Sequence, residues 1–320
     1  MGKSANDYLS REQFGYDLYQ MMYDTVNMIL YQKDVLDMNF LKEIPQYLTK
    51  ANKNENDEGF SYVKGKLGSL DVYINNFYIK IHGSLCRYYH DCNVKALTVS
   101  EARMALLRIG EALGLPLEQA TVTRLDIAGN IKVNLPVRSY YPFLHRHKRY
   151  KKVIYGKDGV YFKTKNQEQA FYDKNKEKGR KNAGYLLRYE LRLIHPSKIW
   201  GRMIKVVDLY NPAFWNQMLD LWYNCYLDIE KVSNVSSDIS MITGKKDLYD
   251  IALKKLCDDE PTIFDQLEIA MVNGALNKNT AKSIKKMLQN IFCSPLPQYK
   301  NSLIKELDCK MQALTKLFKQ

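Results

Sequence analysis

The stretch "GYLLRYELRLIH", residues 184–195, alternates apolar and charged side chains and predicts a β-strand. Side chains two positions apart in a strand lie on the same face, so Arg188, Glu190 and Arg192 should share one face. The apolar residues between them should share the other face. Charges embedded in an apolar strand cost free energy unless they are paired or bound to a cation, so this row is a candidate functional feature.

A second strand with the same character is predicted by "ATVTRLDIAGNI", residues 120–131. Its alternation places Arg124 and Asp126 on one face. Two carboxylates from neighbouring strands, here Asp126 and Glu190, make a suitable site for a hard cation such as Mg²⁺ or Mn²⁺. Such a cation would polarise a phosphodiester oxygen.

A third segment, "QAFYDKNKEK" at residues 169–178, presents a tyrosine as a possible nucleophile. A tyrosine hydroxyl has a pKa near 10 and attacks phosphorus poorly without a nearby cation and a positioned phosphate. Lys174 follows Tyr172 by two residues and should project to the same strand face. It could lower the pKa of the tyrosine or hold the leaving oxygen.

The charged strand residues also have a purely structural interpretation. Arg124, Asp126, Arg188 and Glu190 could form a ladder of opposite charges across adjacent strands. Spacing alone leaves this interpretation open beside the catalytic one. The chain contains 24 tyrosines, so one tyrosine in one strand is weak evidence without further support.

Upstream of these segments the pattern is again that of strands. "DTVNMILYQ", residues 24–32, is apolar enough for a first strand. The stretch "SYVKGKLGSLDVYINNFYIKIHGSL", residues 61–85, alternates apolar and polar residues between Gly and Asn-Asn breaks. This pattern predicts an antiparallel meander of three strands.

Helical patterns flank and follow the strands. "TVSEARMALLRIGEALGL", residues 98–115, predicts a helix that Thr98 or Ser100 caps and Gly114 ends. From about residue 200 the chain is helix-patterned, and two helices are predicted on either side of Asn273-Gly274. These two could form a helix-turn-helix or an ordinary antiparallel pair.

Together the patterns predict an α+β fold with an antiparallel sheet and flanking helices, followed by a mostly helical C-terminal domain. We divide the chain into a polar extension at 1–20, a sheet domain at 21–205 and a helical domain at 206–320. The helical domain could bind DNA or mediate oligomerisation.

The charge balance favours a polyanionic partner. Lys and Arg number 48 against 35 Asp and Glu, giving a formal net charge of +13. In "LPVRSYYPFLHRHKRYKK", residues 135–152, the first half predicts a short helix or turn and the end predicts an exposed basic loop. We expect seven residues to contact DNA: Arg124, Arg146, Lys148, Arg149, Lys151, Lys152 and Arg192.

Several function classes are disfavoured by what the sequence lacks. The six cysteines form no C-x-x-C pair, and there is no Walker A loop and no H-E-x-x-H. No apolar run reaches about 18 residues, so no membrane span is expected. Free thiols in the cytoplasm of a bacterial host are the simplest expectation.

Taken in order, "ATVTRLDIAGNI", "QAFYDKNKE" and "GYLLRYELRLI" resemble motifs of the filamentous-phage rolling-circle replication endonucleases. They are also similar to related phage and plasmid replication initiators, including the Rep_trans group. Upstream, "MYDTVNMIL" resembles the opening strand of that family, and "YIKIHGSLCRYYHDCN" resembles its strand and Gly-Ser turn. The resemblance covers about residues 21–200.

This resemblance implies a sheet related to that of the HUH nucleases and a nick in one strand of origin DNA. A tyrosine, here Tyr172, would form a 5′-phosphotyrosine and release a 3′-OH that primes rolling-circle synthesis. Lys174 and Arg188 would stabilise the phosphate. The implied acidic metal positions are Asp126 and Glu190.

The chain lacks the His-hydrophobe-His pair, so the third metal ligand is unassigned and His82 is a candidate. The implied cofactor is Mg²⁺ or Mn²⁺. The implied partners are supercoiled or single-stranded origin DNA and the host replication helicase and polymerase. A homodimer is possible, and no membrane is involved. The alternative is a non-catalytic DNA- or RNA-binding regulator that uses the same basic sheet.

Overall fold

The computed structural model of the chain describes residues 19–35, 38–92, 97–154, 159–177, 179, 184–231, 244–259, 262–292 and 302–319. The chain divides into two compact units. One unit comprises Met1–Lys231 with Glu306–Gln320, and the other comprises Val232–Lys305.

Every strand within the described residues lies in the first unit. In chain order they are β1 (Tyr19–Tyr31), β2 (Thr49–Glu55), β3 (Ser61–Leu67), β4 (Leu70–Asn75), β5 (Tyr78–Ser84), β6 (Thr121–Val133), β7 (Leu144–His147), β8 (Lys151–Ile154), β9 (Val160–Lys163), β10 (Gln167–Asp173), β11 (Tyr185–Leu193), β12 (Ile204–Lys205) and β13 (Ile229–Lys231).

The helices precede, interrupt and follow the strands. They are α1 (Phe40–Glu43), α2 (Leu85–His90), α3 (Val99–Leu113), α4 (Lys174–Glu177), α5 (Pro196–Trp200), α6 (Pro212–Leu227), α7 (Lys245–Asp259), α8 (Ile263–Val272), α9 (Lys278–Phe292) and α10 (Ser302–Phe318). No helix within the described ranges is long and apolar enough to cross a membrane.

One large sheet dominates the first unit, with the strand order β2-β3-β4-β5-β1-β6-β11-β10-β9-β8. Its neighbouring strands pair antiparallel, and β12 adds to one end of β6. The short strands β7 and β13 pair with each other in a separate sheet. The predicted α+β fold with an antiparallel sheet and flanking helices is therefore confirmed, as is the helical C-terminal region.

The apolar face of the sheet carries the core. Aromatic rings from β10, β11 and α6 stack there: the Phe171 and Tyr189 centroids are 4.4 Å apart, and those of Tyr189 and Trp222 are 4.7 Å apart. Gly129 of β6 lets α6 and α10 approach the sheet, since a Cβ there would lie 2.7 Å from Trp222 Cζ2 and 2.9 Å from Leu314 Cδ2. Close packing of this kind fixes the sheet against its helices.

Helix α3 begins and ends as predicted. Thr98 caps it, and Glu101 closes a capping box by accepting from the backbone N–H of Thr98 at 2.8 Å. Gly114 ends it in the left-handed conformation with φ +64°.

The predicted basic loop at the end of residues 135–152 is wrong in part. A 3-10 helix at Val137–Phe143 confirms the predicted short helix, but β7 and β8 follow it. Strand β7 pairs with β13, which lies beyond α6 in the sequence, and β8 pairs with β9. The pairing of β7 with β13 is not local enough for a short pattern to indicate. The stretch "KVIYGKDGVYFK", residues 152–163, does predict a hairpin around Lys157-Asp158-Gly159, and the pairing of β8 with β9 confirms it. The predicted turn at Lys157–Asp158 lies outside the described residues.

The strand that carries Tyr172 ends earlier than predicted. β10 stops at Asp173, and α4 begins at Lys174. Asp173 Oδ1 accepts from the backbone N–H groups of Asn175 and Lys176, each at 3.0 Å, which starts the helical turn. Lys174 is therefore not part of the strand.

The two compact units also differ from the predicted division at residue 205. The first unit extends to Lys231 because α6 packs on the sheet, and it includes the end of α10. Trp215 of α6 donates to the carbonyl of Phe318 at 2.9 Å, which ties these two helices together. In the second unit, α8 and α9 lie on either side of Asn273–Gly274, as predicted. The first eighteen residues of the predicted extension are outside the described ranges, and Tyr19 already belongs to β1.

Candidate active site

The second face of the large sheet is polar, and its centre gathers most of the candidate residues. Tyr172 on β10 lies opposite Arg188 on β11. Arg192 on β11 in turn lies opposite Asp126 on β6. Since alternating residues share a face, Glu190 lies on this face with them. The structure thus brings together the tyrosine and both carboxylates that the sequence indicates.

The Tyr172 hydroxyl donates a hydrogen bond to Glu190 Oε1 at 2.5 Å. Both groups are almost fully buried, with Tyr172 8% and Glu190 3% exposed. Burial raises the pKa of Tyr172 well above its usual value, and the Glu190 charge raises it further. In this arrangement the tyrosine is a neutral donor, and the carboxylate is positioned to accept its proton.

Glu190 is held ionised by two guanidinium groups. Burial opposes its ionisation, but the charges of Arg188 and Arg192 outweigh burial and lower the pKa of Glu190 to about 2. Arg188 Nε donates to Glu190 Oε1 at 2.6 Å, while Arg192 Nε and Nη2 donate to Oε2 at 2.8 and 2.7 Å. The tyrosine therefore faces a fixed negative charge.

Arg188 anchors the inner side of this cluster. It is fully buried, and its Nη2 donates to Asp24 Oδ2 at 2.6 Å while its Nη1 donates to Asn130 Oδ1 at 3.2 Å. Ser84 Oγ donates to the other oxygen of Asp24 at 2.7 Å. Arg188 was expected to stabilise a phosphate. Its burial makes it instead a group that positions Glu190.

Arg192 faces the solvent side of the cluster, with a quarter of its side chain exposed. Its Nη1 donates to Glu168 Oε1 at 2.6 Å, and Lys163 Nζ lies 2.9 Å from Glu168 Oε2. The row therefore alternates in charge from Glu190 to Lys163. An anion that reaches this face can contact Arg192.

Asp126 forms a separate ion pair along β6. Arg124 Nε and Nη2 donate to its two carboxylate oxygens at 2.9 and 2.7 Å. Burial nevertheless raises the pKa of Asp126 to about 6, because desolvation outweighs the favourable contact with Arg124. The four residues of the expected charge ladder therefore pair, but along their own strands: Arg124 with Asp126 on β6 and Arg188 with Glu190 on β11. The pairs that cross between strands involve Asp24 and Glu168.

A cavity of about 300 Å³ opens beside Tyr172. Tyr161, Asp173, Lys176, Glu177 and Arg192 complete its lining. A phosphodiester that enters this cavity would meet the tyrosine and a partly exposed guanidinium. Tyr161 is also a tyrosine that the sequence offers as a substitute nucleophile, whereas Lys176 is an addition that the strand pattern does not single out.

Lys174 lies under the tyrosine rather than beside its hydroxyl. Its Nζ is 5.5 Å from the centroid of the Tyr172 ring and 2.6 Å from Glu177 Oε2. It is 1% exposed, and burial together with the Arg188 charge lowers its pKa. It therefore supports the ring and closes the first turn of α4.

The residues do not fit a preformed divalent-cation site. Among the residues that the structure describes, no three His, Cys, Asp or Glu side chains gather as a metal centre requires. The oxygens of Asp126 and Glu190 are all occupied by guanidinium or hydroxyl donors. His82 on β5 contacts Asn27 on β1 instead, and burial lowers its pKa.

The basic residues predicted to contact DNA lie in different places. Arg124 and Arg192 are on the polar face, and Lys151 lies opposite Lys163 at its edge. Lys152 points the other way, with its Nζ on the carbonyl of Leu144.

The remaining three are on the segment that packs against the apolar side, where the His147 and Phe162 ring centroids are 6.4 Å apart. Arg146 pairs with Glu230 at 2.5 Å and Arg149 with Asp228 at 3.1 Å, and Lys148 between them is exposed.

Sequence reasoning missed Asp24, Asn130 and Glu168. Asp24 is the first residue of the predicted first strand and directly precedes its apolar part, and a carboxylate in that place is the signal that could have found it. Asn130 and Glu168 carry no comparable signal, because their roles depend on which strands become neighbours.

Neither the protein-family models nor the curated proteins match the chain. The structure of a rolling circle replication initiator protein from Geobacillus stearothermophilus is similar to this chain with a TM-score of 0.41 and 15% sequence identity. The similarity covers 73% of this chain and 96% of that one.

Proposed function

We propose that this protein is a replication initiator that nicks one strand of origin DNA with Tyr172. The products are a 5′-phosphotyrosine and a free 3′-OH that primes rolling-circle synthesis. The proposal accounts for a cationic chain that carries a buried tyrosine and ionised carboxylate beside a cavity. The host helicase and polymerase would then act on the exposed strand and the 3′ end.

One observation carries the proposal: the 2.5 Å hydrogen bond from the Tyr172 hydroxyl to Glu190, at the wall of a cavity that Arg192 also lines. A nucleophile, a proton acceptor and a cation for the phosphate lie within one group of contacts. Phosphoryl transfer to a hydroxyl requires these three groups: a nucleophile, a base and a positive charge near the phosphate.

The chemical step balances with groups of this chain and solvent. The bond from Tyr172 Oη to phosphorus forms as the bond from phosphorus to the 3′-oxygen breaks. The phenolic proton passes to Glu190 Oε1, and the 3′-oxygen takes a proton from solvent. The phosphotyrosine conserves the energy of the broken bond, which permits later rejoining.

Arg192 couples phosphate binding to proton transfer. Before DNA binds, its two donors to Glu190 Oε2 help to hold the pKa of Glu190 low, and so make the carboxylate a weak base. A phosphate competes for the same guanidinium. When Arg192 turns toward the phosphate, Glu190 loses one positive partner and becomes more basic.

Two arginines compete with the predicted divalent cation, Mg²⁺ or Mn²⁺, for its expected carboxylate ligands. Asp126 and Glu190 remain its expected ligands, but Arg124 and Arg192 occupy their oxygens. A cation would have to displace these guanidinium groups. Rates measured with EDTA and with increasing Mg²⁺ or Mn²⁺ test whether it does.

We assign the helical unit and the basic segment at residues 146–149 to binding of duplex DNA. Helix α9 carries Lys278, Lys282, Lys285 and Lys286, and Lys285 pairs with Glu268 of α8 at 2.5 Å. We assign origin recognition to this unit, and backbone contacts to Arg146, Lys148 and Arg149. A homodimer would place two such units on an origin.

The experiment is a nicking assay on supercoiled plasmids that carry the DNA flanking the gene, with Mg²⁺ or Mn²⁺ present. Wild type should convert the plasmid to open circles with protein on a 5′ end after denaturation. Tyr172→Phe should bind DNA as wild type does and form neither product, because it lacks the nucleophilic oxygen.

Tyr161→Phe is the matched control, since Tyr161 lines the same cavity and should keep its nicking activity without the hydroxyl. An adduct that persists in Tyr172→Phe and disappears in Tyr161→Phe would transfer the role to Tyr161. Tyr189 is excluded as a substitute by its position on the apolar face against Trp222.

A non-catalytic DNA- or RNA-binding regulator is the second candidate. The observation that favours it is the complete pairing of Asp126 and Glu190 with arginines, which a charge ladder also explains. It predicts DNA retardation without any nick, whatever the cation. The same assay separates the two functions.

A further inference from the structure

The outer strands of the sheet form a wing, β3, β4 and β5, whose polar face lies outside the Tyr172 cluster. Its register places Lys64 opposite Tyr73, and Tyr73 opposite Lys80. Tyr62 and Tyr78 lie on the same face by alternation. The opposite face of these strands is buried and apolar, so this face is the accessible one.

Tyrosine rings form a row across the wing. The Tyr62 and Tyr73 centroids are 5.3 Å apart with planes inclined by 27°, and those of Tyr73 and Tyr78 are 5.8 Å apart at 32°. All three side chains are half-buried. Their rings are therefore held in place by neighbours and still leave surface uncovered.

Positive charge accompanies the rings. A groove of about 680 Å³ is lined by Tyr73 and Tyr78 together with Lys64, Lys80 and Arg124. Lys64 Nζ lies 5.2 Å from the centroid of the Tyr62 ring. The acidic member of the lining, Asp71, is neutralised by Lys66 at 2.7 Å. The groove is cationic as well as aromatic.

Arg124 joins this groove to the candidate active site. It lines the groove, and it pairs with Asp126 at 2.7 Å on the central strand β6. His82, which also lines the groove, has a pKa lowered by burial first and by Arg124 second, so it adds no charge at neutral pH. A polymer that follows the polar face can therefore contact both regions.

We propose that this tyrosine-lysine groove binds unpaired bases of single-stranded DNA on the same sheet face as the nicked phosphate, an assignment that rests on the proposed function. Every base has a π-face, and stacking on aromatic side chains is the usual way to hold a strand without base pairing. The lysines take the phosphates. A duplex offers no free base faces, so the rings select for melted DNA.

The first experiment measures fluorescence anisotropy of a labelled thymidine oligonucleotide of about 15 residues, without divalent cation and in the Tyr172→Phe background. We expect tighter binding to this strand than to a duplex of the same length. Tyr73→Ala should weaken single-strand binding by about 5- to 150-fold, the range for loss of one stacked base. Tyr73→Phe keeps the ring and should keep the affinity.

Tyr185→Ala is the matched control, because Tyr185 is an exposed tyrosine on β11 whose alternation with Arg188 places it on the opposite face. Thermal melting establishes that each variant is folded, and Tyr73→Leu replaces Tyr73→Ala if the latter is not. The proposal is overturned if the protein binds the duplex as tightly as the single strand, or binds the matching RNA more tightly. It is also overturned if folded Tyr73→Ala and Tyr73→Leu bind the single strand with wild-type affinity.

The two proposals fail separately. Oligonucleotide binding that depends on Tyr73, in a wild-type protein that nicks no plasmid, sustains the groove and removes the endonuclease. If nicking depends on Tyr172 and oligonucleotide binding does not depend on Tyr73, the endonuclease proposal stands and the groove proposal fails.

Discussion

The centre and the wing of the polar sheet face use similar residues in opposite ways. In the centre, Arg188 is fully buried and Glu190 nearly so, and each charge has a bonded partner. On the wing, Lys64 is exposed, and Tyr73 keeps part of its ring uncovered. In the centre, burial of the charges costs desolvation free energy, and the resulting ion pairs hold the side chains in fixed positions. On the wing, the charges and rings remain accessible to a ligand.

One sheet can therefore carry reacting groups in one region and groups that give binding affinity in another. Buried ion pairs add little net stability, so a cluster of them beside a cavity is typical of a site that positions reacting groups. Exposed lysines and half-open rings bind a polymer without strict geometry. Three substitutions test whether the centre and the wing differ in this way, and the one with the largest expected effect comes first.

Replacing Arg188 with alanine should lower the free energy of unfolding by about 3–5 kcal/mol. The change leaves Asp24 and Glu190 buried without their shared positive partner. Urea denaturation at neutral pH measures the loss. Lys64→Ala is the counterpart on the wing and should cost less than about 0.5 kcal/mol, because Lys64 is exposed. Similar losses in the two variants would remove the distinction.

Stability should depend on pH through Asp126. Its folded-state pKa of about 6 exceeds the ordinary value of 3.8, so the folded chain binds more protons between these two values. The free energy of unfolding therefore falls as pH rises from about 4 to about 6, by about 2–3 kcal/mol from this group. Glu190 acts in the opposite sense, because its contribution is lost as pH falls from its ordinary 4.5 toward about 2.

Asp126→Asn should remove the decline between pH 4 and 6, as urea denaturation at several pH values would reveal. Asp71→Asn on the wing is the control and should retain the wild-type slope. An unchanged slope in Asp126→Asn would mean that burial does not govern this carboxylate.

The smallest effect concerns the salt dependence of DNA binding. Lys64→Ala should reduce the slope of log affinity against log salt by about one, because one phosphate contact is lost. Lys64→Arg should keep the slope. Titrations of a single-stranded oligonucleotide between low and physiological salt measure it, and a slope unchanged in Lys64→Ala would place the strand elsewhere.

The alternation in two strands was enough to predict that Asp126 and Glu190 lie on charged strand faces, and the motif order singled out Tyr172. The structure brings all three to one face. The same reasoning failed for Lys174, because Asp173 starts a helical turn where a continuing strand was expected. It failed in part for residues 144–151, where an exposed loop was predicted, because β7 pairs with β13 far away in the sequence.

The local features of this protein follow directly from its sequence. Strand periodicity, the caps of α3 and the excess of positive charge each depend on residues close together in the chain. Three other features follow from the folded structure alone. Asp24 pairs with Arg188, arginines pair with Asp126 and Glu190, and three tyrosines form a row beside Arg124. These contacts depend on strand order and register, which are fixed by the packing of the whole sheet against its helices and not by any single segment.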